Sequence, residues 1–200
     1  MAEVKILEQS ETGEQDAPPT SKWLTCLIEA MILALGIVLI ILLRVGVYEP
    51  AYIPSASMEN TLQIGDRVLI DHRSSLKGHW KRGDVVIFEA EGDWGNDQTL
   101  IKRVIGLPGE KVELMGGQVY IDGVALAESG YQKEKPVEED VEAVTLEKDE
   151  YFVMGDNRNK SDDSRNNGPV KSDQITGRAV LVFYPPGRFG KLPVPVYAAR

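Results

Sequence analysis

The chain has 200 residues, of which 31 are acidic and 22 are Lys or Arg, for a formal net charge of −9. That balance argues against a nucleic-acid partner, because phosphate binding needs clustered basic side chains and none is patterned here. A single cysteine, Cys26, allows no intramolecular disulfide and no cysteine-based zinc spacing.

Residues 1–22, with ETGEQDAPPTS, are polar and Pro-containing and predict a disordered tail. The apolar run Leu24 to Val47 follows, uncharged from Ala30 to Leu43, with Glu29 and Arg44 near its ends. Its length suits a helix crossing a hydrocarbon core of about 30 Å. Trp23 and Tyr48 flank the run as interfacial anchors, so a transmembrane helix is expected over 23–48, with Cys26 as one of its small apolar-like residues. A secretory signal peptide is the competing reading, but its apolar region would be about 7–15 residues long and begin nearer the terminus. Lys22 on one flank and Arg44 on the other give no charge asymmetry from which to read orientation.

Beyond the run, residues 49–200 change to short segments rich in Val, Ile, Tyr and Phe: RVLIDH, DVVIFEA, TLIKRVIG, KVELM, QVYID, EYFVMG and GRAVLVFYP. Gly116-Gly117 and Asp122-Gly123 read as two-residue turns between strands. The predicted fold class is therefore mainly β, a membrane-anchored β-rich domain preceded by one transmembrane helix. Residues 127–150 break the pattern with an acidic run and one proline, and read as a solvated surface insertion or, alternatively, as a specificity element.

Two residues in this frame suggest chemistry. Ser57 lies in IPSASMENTL, ten residues past Val47, and Lys102 lies in TLIKRVIGLPGE. A serine hydroxyl is a weak nucleophile at neutral pH and needs a group to take its proton. His72 and His79 lack a catalytic context and read as strand-end or surface residues, which leaves lysine as the candidate base. On a strand, Lys102 shares a face with Leu100 and Val104. Desolvation there would lower its pKa, and moving it from ~10.4 to ~7.5 would cost roughly 4 kcal/mol. Alternation alone leaves open a lysine lying along the strand with its ammonium in water. Ser55 alone reads as a turn former, and GDNRNKSDDSRNNG as an Asn/Asp/Gly-rich loop.

Four segments in order, IPSASMENTLQIGD, KRGDVVIF, IKRVIGLPGE and GDNRNKSDDSRNNGPV, following an apolar span, resemble the bacterial type I signal peptidases. The resemblance covers the chain from the span to about Tyr184 and implies a membrane-bound serine endopeptidase, a hydrolase with a Ser-Lys dyad. It implies Ser57 as nucleophile, Lys102 as general base, and an oxyanion hole made by the Ser55 hydroxyl and the Ser57 backbone N–H. It further implies that Ser161 orients the Lys102 amine, that Asp163 and Arg165 form an ion pair, and that Asp156, Asn157 and Arg158 support them. The implied partners are preprotein signal peptides, cut after small residues, and the lipid bilayer, with no metal and no organic cofactor. The implied location is the cytoplasmic membrane, single-pass, with the catalytic domain on the outer side.

Two departures stand out: Asn60 where the family usually has proline, and Leu100 where many members carry tyrosine. Two other classes fit the sequence less well. A self-cleaving Ser-Lys repressor-type protease fits poorly with the apolar span and acidic balance. A membrane-tethered β-domain adaptor without turnover fits poorly with Ser57, Lys102, Ser161 and Asp163 together.

Overall fold

Residues 22–44, 47–95, 98–128, 130–132, 134, 136–193, 195 and 197 are described by the computed structural model. The predicted tail lies outside them except for Lys22. The chain divides into two units, Met1–Leu43 and Arg44–Arg200.

The first unit contributes helix α1 (Lys22–Arg44), 23 residues, or about 35 Å at the usual rise. It stops short of the predicted 48 because Tyr48 opens a strand. Every side chain from Lys22 to Ile41 is exposed. By length and composition this helix is long and apolar enough to cross a membrane.

The second unit is built of strands β1 (Tyr48–Tyr52), β2 (Arg67–Asp71), β3 (Val85–Ala90), β4 (Gln98–Gly106), β5 (Lys111–Met115), β6 (Gln118–Ile121), β7 (Val124–Ala125), β8 (Val141–Thr145), β9 (Glu150–Met154), β10 (Val170–Lys171), β11 (Ile175–Tyr184) and β12 (Gly190–Lys191). The larger sheet runs β1-β2-β11-β3-β4-β9-β10, with β12 also paired to β11, and the smaller runs β7-β6-β5-β8. All seven predicted strand segments are present. β1 carries Pro50 and was not foreseen, but proline is tolerated on an edge strand, and β1 pairs only with β2.

The two predicted turns close the meander of the smaller sheet. Met115 pairs with Gln118 across Gly116-Gly117, and Ile121 pairs with Val124 across Asp122-Gly123. All four turn residues have positive φ, from 50° to 79°, as a two-residue type I′ connection requires. The solvated reading of 127–150 is corrected. This stretch supplies β8, which pairs with β5, and it buries Glu128, Tyr131 and Leu146. Those three side chains pack or hydrogen-bond inside the domain, so the acidic run is only partly a solvated face.

Buried apolar side chains form three clusters. One joins Ile53, Met58 and Leu62 to Val68, Ile70, Val85, Ile87 and Ile101 under the larger sheet. A second joins Ile105, Phe152 and Met154 to Val112, Leu114, Val119 and Ile121 of the smaller sheet. The third holds Trp80, Val86, Phe88, Val104 and Tyr151, with Leu100 partly buried against it. β4 contributes to all three, which makes it the spine of the domain.

Candidate active site

Ser57 sits on the connection from β1 to β2. Backbone bonds from Ile53 to Asp66 and from Gly65 to Ile53 close this connection, and Leu62 N–H donates to Met58 O at 2.7 Å inside it. Ile53, Met58 and Leu62 are driven into the first cluster, which pins the turn from below and leaves Ser57 8% exposed at its rim. Asn60 has φ 99°, a value that proline's ring cannot reach. A proline at this position could not adopt the backbone that this turn has three residues after Ser57.

Lys102 comes from the middle of β4, opposite Val86 of β3, and is 4% exposed. Its Nζ lies 3.3 Å from Ser57 Oγ and 3.2 Å from Ile101 O. The Ser55 and Ser57 hydroxyl oxygens are 3.3 Å apart. As an ammonium, Lys102 donates to Ser57; as a neutral amine, it presents a lone pair at the same distance to accept the Ser57 proton. Burial pulls the amine below the ordinary lysine range, while the negative charges of Asp163 and Asp162 act in the opposite direction. Neither histidine competes for this role in its own surroundings: His72 is bonded to Thr176 O at 2.7 Å and to Glu49 at 3.0 Å, and His79 is exposed.

The segment 155–165 is brought against this pair. Asn157 N–H donates to Ser57 O at 3.0 Å, and its side-chain amide donates to Ala56 O at 3.1 Å. Gly155 is required here for close approach and not for positive φ: a Cβ at this position would lie 2.5 Å from Ser57 O and 2.2 Å from Ser161 Oγ. Asp163 is fully buried, accepts from Gly155 N–H at 3.0 Å, and pairs with Arg165 Nε at 2.8 Å, so the predicted ion pair is formed. Asp163 also caps the short helix α2 (Ser164–Asn167), whose Ser164 Oγ accepts from Val153 N–H at 2.9 Å.

Ser161 departs from expectation. Its Oγ is buried without a hydrogen-bond partner among the described residues, so the predicted bond to the Lys102 amine is not made. The side chain instead packs on Gly155, behind the Ser57 carbonyl.

Asp156, Arg158 and Arg165 were expected from the sequence, but the residues they engage, Arg103, Thr61, Glu128, Tyr131 and Glu139, were missed by sequence reasoning. Arg103, with no exposed surface, makes two bonds of 2.7 Å to Asp156, whose Oδ2 accepts from Thr61 Oγ1 at 2.5 Å. Arg158 pairs bidentately with Glu128, and Tyr131 donates to the same carboxylate at 2.6 Å. The Tyr131 ring lies 4.5 Å from the Arg103 guanidinium carbon and 6.0 Å from that of Arg158. Arg165 also reaches Glu139 at 2.8 Å. The one available signal was Arg103, a charge set among apolar strand residues. Glu128 and Glu139 are indistinguishable in sequence from their solvated neighbours.

The geometry amounts to a buried serine, an adjacent buried amine, a second hydroxyl beside the serine, and a buried ion-paired scaffold behind them. The sequence model of the family described as "Signal peptidase, peptidase S26" matches residues 24–184. "Probable signal peptidase I-2" of Synechocystis sp. is 40% identical over 185 residues, which cover 90% of this chain and 81% of that protein. "Signal peptidase I T" of Bacillus subtilis is 34% identical over 194 residues, covering 92% of this chain and 96% of that protein. A solved structure of a signal peptidase I from Enterococcus faecalis is 36% identical, covers 50% of this chain and 96% of that chain, and gives a TM-score of 0.42.

Proposed function

Because this chain belongs to the S26 signal peptidase family, hydrolases that remove signal peptides from preproteins, we propose that it does so with Ser57 as nucleophile and Lys102 as general base. The observation that carries this reading is the 3.3 Å separation of Lys102 Nζ and Ser57 Oγ, with both residues buried.

Ser57 Oγ attacks the scissile carbonyl and Lys102 takes its proton, forming a tetrahedral oxyanion. The Ser55 hydroxyl, 3.3 Å from Ser57 Oγ, and the Ser57 N–H are the donors proposed for that charge, with each such donor worth about 3 kcal/mol in the transition state. Lys102 then gives its proton to the leaving amine as the C–N bond breaks. Water attacks the resulting ester, Lys102 takes a proton from it, and Ser57 Oγ leaves and is reprotonated. Arg103–Asp156 and Arg165–Asp163 hold β4 and the 155–165 segment in register while the amine changes charge.

The substrates proposed are preproteins with small residues at the first and third positions before the bond. We place α1 across the cytoplasmic membrane as a single pass, the β-rich unit on its outer side and residues 1–22 inside. The apolar α1, exposed from Lys22 to Ile41, supports the anchor, and the proposed substrate would emerge beside it. The test is cleavage of a fluorogenic Ala-x-Ala peptide by detergent-solubilised protein. Wild type turns over, while Ser57→Ala and Lys102→Ala, folded by circular dichroism, lose about 10⁴-fold or more in kcat. Turnover retained in either variant moves the catalytic assignment elsewhere.

A further inference from the structure

Buried charges outside the Ser57–Lys102 pair are arranged as a ladder. Arg158, 5% exposed, has Glu128 as its carboxylate partner, and Glu128 itself is 7% exposed. Tyr131 O–H donates to Glu128 Oε1 at 2.6 Å, and Gln132 Nε2 donates to Oε2 at 3.1 Å, so the carboxylate is held from both sides. The guanidinium of Arg103, the residue after Lys102, lies over the Tyr131 ring, 4.5 Å from its centre. Glu128 and Tyr131 lie in the stretch between the matching sequence segments, which share no motif with them.

Arg158 does more than fill space. Its Nε donates to Gly155 O at 3.0 Å, and its own carbonyl accepts from Arg165 Nη2 at 2.8 Å. Between these points Asn157 N–H holds the Ser57 carbonyl at 3.0 Å. The strip 155–158 is thus fastened to the nucleophile turn on one side and to Glu128 on the other. A guanidinium cannot shed its proton, so a buried Arg158 that loses Glu128, its ion-pair partner, and keeps only the more distant charge of Asp163 is drawn toward water, which pulls on the Gly155 bond.

We propose that Glu128, oriented by Tyr131, is a positioning residue for the Ser57–Lys102 pair: it fixes Arg158, and through Arg158 the strip on which the Ser57 carbonyl rests. The proposal rests on the Ser57–Lys102 reading. It gives the acidic stretch a role in the reaction without direct contact with substrate. A displacement of about 1 Å at reacting atoms can cost about 100-fold in rate while leaving more distant binding contacts intact.

The test uses the full chain in detergent and the Ala-x-Ala peptide, with kcat expressed per folded molecule. Glu128→Gln, nearly isosteric but uncharged, is expected to lower kcat by about 10- to 100-fold with KM changed less than about twofold. Glu128→Asp, which keeps the charge on a shorter arm, should fall between Glu128→Gln and wild type. Glu142→Gln, at an exposed position of β8, should match wild type. A Glu128→Gln kcat within about twofold of wild type overturns the proposal, as does a rise in KM with kcat unchanged. If Glu128→Gln does not fold, Glu128→Gln/Arg158→Gln removes both buried charges together. Its kcat should still be about tenfold low, and wild-type kcat in that variant overturns the proposal. A wild type that cleaves none of the peptides would instead sink the underlying peptidase reading, so the two failures are distinct.

Discussion

Lys102 and Arg103 are neighbours on one strand and are almost equally buried, at 4% and 0% exposed, yet their charges are treated in opposite ways. Arg103 has a bidentate carboxylate, a backbone carbonyl from Gly83 at 2.7 Å and the Thr61 hydroxyl at 3.1 Å. Lys102 has a carbonyl, at 3.2 Å, and the Ser57 hydroxyl, at 3.3 Å, and makes no ion pair among the described residues. Burial works against the charge in both. For Arg103 the Asp156 partner outweighs it, and for Lys102 nothing does. Removing water from a cation yields a structural strut when a carboxylate replaces that water, and a proton acceptor when only neutral oxygens do.

The largest expected effect on stability follows from breaking the paired member. Arg103→Met leaves Asp156 buried and unpaired and should cost about 3–5 kcal/mol, read as a lower denaturation midpoint. Lys102→Met should have the opposite sign, stabilising by about 1–3 kcal/mol at neutral pH while abolishing turnover. That gain should shrink as pH rises. The folded-state pKa of Lys102 lies below its unfolded value, so between the two the unfolded chain binds more protons and wild-type stability climbs with pH. Equal and same-signed effects of the two substitutions would show that the neighbours do not differ as described. A smaller effect is expected one turn away. Asn60→Pro, forced from φ 99°, should destabilise by more than about 1 kcal/mol, whereas Asn60→Gly should be nearly neutral, by denaturant titration of each variant.

Much of this contrast could not be read from the chain. Strand identity could be, since alternating or continuous apolar runs mark β2, β3, β4, β5, β6, β9 and β11, and the Gly-Gly and Asp-Gly pairs mark the turns from β5 to β6 and from β6 to β7. The Ser57 and Lys102 pairing was legible only because ordered segments resemble a known family. β8 was hidden because a bulge lies in its pairing with β5: Val112 faces Val144 and Leu114 faces Val141, so the apolar spacing is three instead of two. The partner of Arg103 lies 53 residues away, a distance over which no local pattern carries information. Glu128 looked solvated because a carboxylate among carboxylates gives no sign of the buried guanidinium that folding brings to it.

The most direct test of the central claim, that Lys102 is a buried amine with no ion-pair partner among the described residues and serves as the base for Ser57, is the pH dependence of kcat/KM for wild type on the Ala-x-Ala peptide. Activity should rise with pH as one proton is lost, with an apparent midpoint below the ordinary lysine value of ~10.4. A profile flat or falling between about pH 6 and 9 would contradict it.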